Sequence, residues 1–459
     1  MLRRRCEHSG LQPRSRTYRD HHLARPGIHQ PGARLGLWHA RHPGDRHRRR
    51  RNLDRLLTTA ARPVRQLLGP AFVAAIAYVD PGNIAANVSA GAQFGFLLVW
   101  VIVAANVMAA LVQYLSAKLG LVSGYTLPEA VRDRTRTPTR IAYWIQAELV
   151  AIATDVAEII GGAIALHLLF DLPLVLGGVI TGVVSLLLLL IGDRSGQRVF
   201  ERVITGLLLV IAVGFLAGLV VNPPPAQEAA AGLVPRFDGV QSVLLATAML
   251  GATVMPHAVY LHSGLARDRH GHQQPGAGRA LMLRATRWDV GLAMLIAGTV
   301  NLALLLLAAT NLRGRDGTDT IEGAHAAVSD TLGAAVGLLF AVGLLASGFA
   351  STSVGAYAGA MIMQGLLRRS FPILIRRLVT LVPALAVLAS GVDPTQALVL
   401  SQVVLSFGIP FALIPLIRLT SDRLLMGADA NHRVTAMLGW IVAALITLLN
   451  VALIYLTLA

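Results

Sequence analysis

Aspartate inside an apolar run is the residue with most to explain in this sequence. The segment AFVAAIAYVDPGNIAANVSA holds Asp80-Pro81-Gly82-Asn83 at its centre. A charged side chain at the middle of a membrane helix is costly, so such a residue marks a functional site by default. Proline removes a backbone donor and glycine frees the chain, so the helix is expected to unwind at this point. Asp80 could serve only as a cap for the second half-helix, with Asn83 packed beside it. A serine or threonine would cap without burying charge, which favours a ligand role. The segment LLATAMLGATVMPHAVYLHSGL repeats the pattern, with Gly251 and Pro256 flanking Ala252-Thr253-Val254-Met255.

The donor types define a cation chemistry. The Asp80 carboxylate and Asn83 amide oxygen are hard donors, and unwound carbonyls such as those of Ala77 and Ala252 could add more. The Met255 thioether is soft and a poor partner for Mg²⁺ or Ca²⁺, so a mixed oxygen and sulfur set suits Mn²⁺, Fe²⁺ and later divalent ions. A lone methionine in an apolar helix is ordinarily core; its position beside Pro256 in an unwound stretch is what singles it out.

Further acids lie in IAYWIQAELVAIATDVAEIIGG. At 100° per residue, Glu148 and Asp155 are about 20° apart on the wheel, with Glu158 about 60° further round. Three acids on one side of a membrane helix must face the bundle or a wet cavity, where they could carry protons or form a static ion-pair network. His257 sits beside the second interruption and has the ordinary pKa range for relaying protons between Asp80 and these acids. His262, five residues on, is about 140° round and should meet a different environment. His270 and His272 read as solvated loop residues, and His167 and His325 as span ends or loops.

These residues need helices that cross a bilayer to hold them. The chain has 459 residues, is 54% hydrophobic and only 14% charged, against about 25% charged for soluble domains. Eleven segments of about 20 mostly apolar residues are expected, near 67–90, 95–117, 141–168, 173–192, 203–221, 240–265, 287–311, 332–365, 372–390, 395–418 and 433–457. The two interruptions are five spans apart. Five is odd, so a second five-span unit would enter the membrane from the opposite side, giving an inverted repeat at about 67–221 and 240–418 with an extra helix at about 433–457. Interrupted helices at matching positions of two such halves point to a transport site at the midplane.

Asp-Pro-Gly-Asn, paired with ATVMPHAVYLHS, resembles the Nramp family of proton-coupled divalent metal transporters over roughly residues 65–457. The resemblance implies an all-α integral membrane fold of the LeuT type, with helices 1 and 6 broken. It implies that Asp80, Asn83, Met255 and the Ala252 carbonyl bind the metal, joined in some conformations by the Ala77 carbonyl and by Gln402 in SQVVLSFGIPFALIPL. Family members also pair the acids of span three with arginines of span nine, where RRLVTLVPAL supplies Arg376 and Arg377. The expected activity is H⁺-coupled import of Mn²⁺ or Fe²⁺ by alternating access, with no cofactor, by a monomer in the bacterial plasma membrane.

Two other functions fit less well. A Na⁺-coupled amino-acid symporter on the same fold would set Asp80 against a substrate carboxylate. An intramembrane metal hydrolase needs a tight His and acid set such as HExxH, which is absent from the sequence. No GxxxxGK[ST] occurs either, so ATP does not drive the cycle directly.

The charge is unevenly placed. Of the formal +16, residues 1–65 hold +13, from 17 Arg against Glu7, Asp20, Asp45 and Asp54. Residues 1–62, rich in Arg and His, have no apolar periodicity and are expected to be a disordered cytoplasmic extension, with 63–457 as the transporter domain. Such a run could serve as an arm for nucleic acid or for anionic lipid, or be an unselected extension; no nucleic-acid partner is expected. Of the other 23 basic residues, 20 fall in alternate loops, including Arg132, Arg134, Arg198, Arg202, Arg267, Arg269, Arg368 and Arg418. That asymmetry puts the N-terminus and those loops in the cytoplasm and the C-terminus outside. Cys6 is the only cysteine, so no intrachain disulfide forms. Deleting residues 1–60 should therefore leave metal uptake by cells or liposomes intact; lost uptake by a correctly inserted chain would contradict this reading of the extension.

Overall fold

A computed structural model describes residues 69–458 apart from Gly196, Asp316 and residues 370–372, and describes the backbone alone at 191–195, 197, 373–374, 376–377 and 457. The basic extension expected at 1–62 therefore lies outside the described residues.

Within that range the chain is helical. It runs α1 (Pro70–Ile76), a 3-10 turn (Ala77–Val79), α2 (Pro81–Phe94), α3 (Val99–Ser123), α4 (Leu127–Arg134), α5 (Thr137–Phe170), α6 (Leu174–Ser195), α7 (Gln197–Val221), α8 (Ala226–Ala231) and α9 (Gly239–Thr253). It continues through α10 (Pro256–His270), α11 (Ala277–Asn311), α12 (Ile321–Leu332), α13 (Ala334–Leu367), α14 (Ile373–Ala389), α15 (Pro394–Ser421), α16 (Arg423–Met426), a 3-10 turn (Gly427–Asp429) and α17 (Arg433–Leu458). Among the described residues eight helical segments are long and apolar enough to cross a membrane, counting α9 and α10 as one. Shorter apolar helices at Pro70–Val79, Leu174–Leu190 and Leu378–Ala389 fall within the remaining three expected segments. All backbone polar groups must be satisfied within the segment in hydrocarbon, which is why an apolar chain of this kind is built from helices.

Both interruptions are present, but the unwinding is displaced from the sequence expectation. The first helix tightens into its 3-10 turn and opens only at Asp80, whose ψ of 166° is extended. Pro81, Gly82 and Asn83 are already the first turn of α2. Proline at the first helical position sacrifices a donor that has no helical acceptor anyway, so Pro81 starts a helix here instead of breaking one. The second break is confined to Val254 and Met255, and Pro256 likewise starts α10. Gly251 remains helical. Its role is close approach: a Cβ there would overlap the carbonyl oxygen of Gln402 on α15.

The breaks are held in a cage of long helices. α2 packs on α11 and α15, α9 on α15 and α2, and α10 on α3 and α13. α5 runs along α13, α15 and α14, and touches α2. At that last contact a Cβ on Gly161 would overlap the Pro81 ring. Small residues let membrane helices approach this closely, where packing rather than the hydrophobic effect joins them. Gly251→Ala should therefore destabilise the protein by about 1–3 kcal/mol, the scale of overpacking. Gly278→Ala, where a Cβ meets nothing within 4 Å, should be neutral or slightly stabilising. Thermal unfolding in detergent compares the two, and equal midpoints would contradict the packing argument.

Candidate metal centre

Asp80 is fully buried. Its Oδ1 accepts from the Asn83 backbone N–H at 2.7 Å and from the Asn83 side-chain amide at 3.0 Å, so it caps α2 as the simplest sequence reading allows. Only one oxygen is used in this way. Oδ2 has no hydrogen-bond partner among the described residues. A cap leaves a carboxylate oxygen unaccounted for, and an unmet buried acceptor is expensive unless a cation or proton meets it.

Asn83 joins the two breaks. Its amide also donates to the Ala252 carbonyl at 2.9 Å, across 169 residues of chain, and its Oδ1 lies 3.4 Å from the Thr253 hydroxyl. Amide nitrogen and oxygen are exchanged by a half-turn of the side chain. In this arrangement the amide nitrogen faces Asp80 and Ala252, and Oδ1 would reach a cation there after that half-turn. Gln402 reaches the same place from α15: its side chain lies across Gly82, and its buried Oε1 also has no partner among the described residues. Met255, fully buried, forms the extended N-cap of α10 two residues from Thr253. Ala77 opens the 3-10 turn, which packs against α9.

Asp80, Asn83, Ala252 and Gln402 are thus brought together, with Met255 and Ala77 in the bordering turns. Among the described residues no three His, Cys, Asp or Glu side chains cluster as metal ligands. A cation at this place would be held by one carboxylate and neutral donors.

A polar surround fixes the first break, and sequence reading missed it. Asn301 on α11 donates to the Tyr78 carbonyl at 2.7 Å and accepts from Asn87 at 3.0 Å. Ser347 on α13 donates to the Val79 carbonyl at 2.5 Å. The unwound carbonyls thereby find partners that the helix no longer supplies. Gln113 on α3 donates to the Tyr78 hydroxyl and meets His262 Nδ1 at 2.7 Å. At the start of α1, Asp289 accepts from the backbone N–H groups of Gly69 and Ala71 at 2.9 and 3.0 Å. Asp289 apart, these are single neutral polar residues in long apolar helices, which carry no local signal in the sequence.

The two histidines separate as the wheel predicts. His257 Nδ1 lies 3.4 Å from the Thr154 hydroxyl on α5, and its buried Nε2 has no hydrogen-bond partner among the described residues. Thr154 precedes Asp155, so His257 faces the acidic helix while His262 faces α3. Asp155 and Glu158 are buried and Glu148 is half-buried. The Glu158 carboxylate faces Gly355 on α13, and Gly161, one turn on, packs against Pro81. The acids therefore begin beside the first break and extend along α5 for about 15 Å to Glu148. The backbone of α14 packs on α5, but the Arg376 and Arg377 side chains lie outside the described residues. His167, at the end of α5, bonds the Leu172 carbonyl at 3.0 Å, and His272 lies against Gly124.

A second polar region of about 360 Å³ opens between α2, α9 and α15, lined by Ser89, Gln93, Gln241, Asp319, Asp393 and Gln396, among others. Nearby, burial pushes the Glu322 carboxyl above its ordinary range, and the Asp393 charge adds to the shift.

Residues 71–456 match the family described as "Nramp: Natural resistance-associated macrophage protein-like". The chain belongs to the Nramp family. It is 71% identical over 391 residues, 85% of this chain and 91% of the relative, to the "Divalent metal cation transporter MntH" of Mycobacterium tuberculosis. A crystal structure of the Eremococcus coleocola manganese transporter, in complex with an aromatic bis-isothiourea substituted compound, superposes with a TM-score of 0.75 at 34% identity. That match covers 83% of this chain and 84% of the other. The nucleobase-cation-symport-1 family transporter Mhp1 matches at TM-score 0.56 and 17% identity, over 85% of this chain and 91% of that one. It shares the fold alone, the LeuT-type architecture that the family resemblance implies.

The cage around the first break of this Nramp chain is testable apart from transport. Asn301→Leu would leave both the Tyr78 carbonyl and the Asn87 amide without a buried partner, at about 1–3 kcal/mol each. A lowered unfolding midpoint is expected, and wild-type stability would contradict the assignment.

Proposed function

We propose that this chain is a secondary transporter that imports a divalent transition metal, Mn²⁺ or Fe²⁺, together with H⁺ by alternating access. The observation that carries the reading is a pair of buried oxygens, Asp80 Oδ2 and Gln402 Oε1, that have no hydrogen-bond partner among the described residues where two interrupted helices meet. Asp80 would supply the charge. Asn83, Gln402 and the Ala252 and Ala77 carbonyls would supply neutral oxygen donors, and Met255 the soft donor that disfavours Mg²⁺ and Ca²⁺. The names of its relatives support metal as the cargo.

In this reading the breaks do two jobs. They expose carbonyls and a carboxylate to the cargo, and they give each interrupted helix two halves that can tilt separately, so that access changes sides around one site. Protons released at Asp80 when metal binds would pass by way of His257 to Asp155 and Glu158, and on toward Glu148, with Arg376, Arg377 and His262 as further members of the route. The arginine-rich loops would face the cytoplasm and the C-terminus the outside, in a bacterial plasma membrane, with the protein acting as a monomer. A negative interior then favours uptake by about 2.3 kcal/mol per elementary charge per 100 mV.

Reconstitution into liposomes tests the assignment. Asp80→Ala should abolish Mn²⁺ uptake, and uptake that survives would refute it. Met255→Ala should keep Mn²⁺ uptake yet admit Ca²⁺ or Mg²⁺ more readily; unchanged exclusion would place selectivity elsewhere. Asp155→Asn should reduce metal-driven H⁺ flux at least several-fold more than it weakens Mn²⁺ binding. Equal losses would make the acids of α5 a structural ion-pair network.

A further inference from the structure

A cavity of about 600 Å³ lies apart from the candidate metal centre, between the start of α1, the first turns of α7 and the end of α10. Its walls combine Arg198 and Arg202 of α7 with Arg269 of α10, and one acid, Glu201. Glu201 is already engaged, 3.4 Å from Arg269 and packed against Gly69. The buried Arg269 Nε is the atom that faces Glu201, and it makes no closer contact that qualifies as a hydrogen bond among the described residues. Arg198 and Arg202 are exposed and successive on one face, the Arg202 Nε donating to the Arg198 carbonyl at 3.3 Å. The lining therefore sets three arginines against one acid, and the exposed guanidinium groups of Arg198 and Arg202 carry the excess positive charge.

The rest of that face of α7 changes character in order. Thr205 and Gly206 follow the arginines, then Leu209, 55% exposed, and beyond the cavity Val213, 61% exposed. Successive spacings of three or four residues, from Arg198 through Arg202, Thr205 and Gly206, and Leu209 to Val213, keep these positions in one stripe. A helix long and apolar enough to span a membrane thus presents charge, then a polar step, then an uncovered apolar track. The same sequence of chemistries runs along a phospholipid from its phosphate through the glycerol ester to the acyl chain. A basic pocket between membrane helices at the headgroup level is suited to an anionic lipid, and Arg binds phosphate oxygens through paired donors. Gly206 leaves the step open: a Cβ there meets nothing within 4 Å.

We propose that this pocket binds the phosphate of an anionic phospholipid headgroup through Arg198, Arg202 and Arg269, with an acyl chain lying along Leu209 and Val213. Delipidated full-length protein in a neutral detergent, titrated with phosphatidylglycerol or phosphatidylcholine, tests this through its unfolding midpoint. Phosphatidylglycerol should raise the midpoint by about 3 °C or more relative to phosphatidylcholine. The combined Arg198→Gln and Arg202→Gln variant should lose most of that difference. So should Gly206→Leu, which fills the step without removing charge. Arg423→Gln with Arg433→Gln, a charge-matched change elsewhere, should keep it.

An equal effect of the two lipids would overturn the proposal, as would a wild-type response from both pocket variants. An equal loss in the Arg423 and Arg433 variant would reduce the effect to diffuse surface charge and also overturn it. Glycerol 1-phosphate should give no shift; if it reproduces the phosphatidylglycerol effect, the pocket takes a soluble phosphate and the lipid assignment fails.

Discussion

A single carboxylate held where hydrocarbon should be sets the terms for the rest of this structure. Asp80 cannot be hydrated at its depth in the bundle, so its two oxygens must be met by the protein or by something it carries. One is met by the first turn of α2. The other is left, at the point where the second broken helix arrives. Interrupting a membrane helix to place that group exposes backbone carbonyls, and the helices around it are shaped to answer them. Asn301 and Ser347 do so from α11 and α13, while glycines on α2, α5 and α9 bring neighbouring chains close enough to enclose the site.

In the proposed reading the site relies on neutral donors around one carboxylate instead of on an acidic cluster. Several carboxylates together would raise affinity for any divalent ion, but they would also have to be desolvated each time the site changed sides. One carboxylate, two side-chain amides and a thioether would hold a cation with less fixed charge, and would leave the acids of α5 beside the site for a different task. Gly161 against Pro81 places that acidic helix in contact with the first break, so any movement of the half-helices is felt by both groups.

Much of this was legible in the sequence because the rare residues were the informative ones. An acid and a proline inside an apolar run have few structural explanations, and two such runs five spans apart have fewer. The position of unwinding was less legible: proline reads as a breaker, whereas Pro81 and Pro256 begin helices and the opened residues precede them. Gln113, Asn301 and Ser347 were invisible for another reason. Each is a single neutral side chain whose role appears only when a helix far away in sequence is laid beside it. Charge also needed dividing before it could be read. The +13 of residues 1–65 obscured a body whose few arginines gather in alternate loops, three of them around one cavity.

The central claim is that the free oxygen of Asp80 meets a transition-metal cation. Calorimetric titration of the purified protein with Mn²⁺, set beside Asp80→Asn, tests it most directly, since that change keeps the shape and the contact with α2 while removing the charge. The account predicts saturable binding in the wild type and at least a tenfold weaker affinity in the variant. Equal affinity in the two would contradict it.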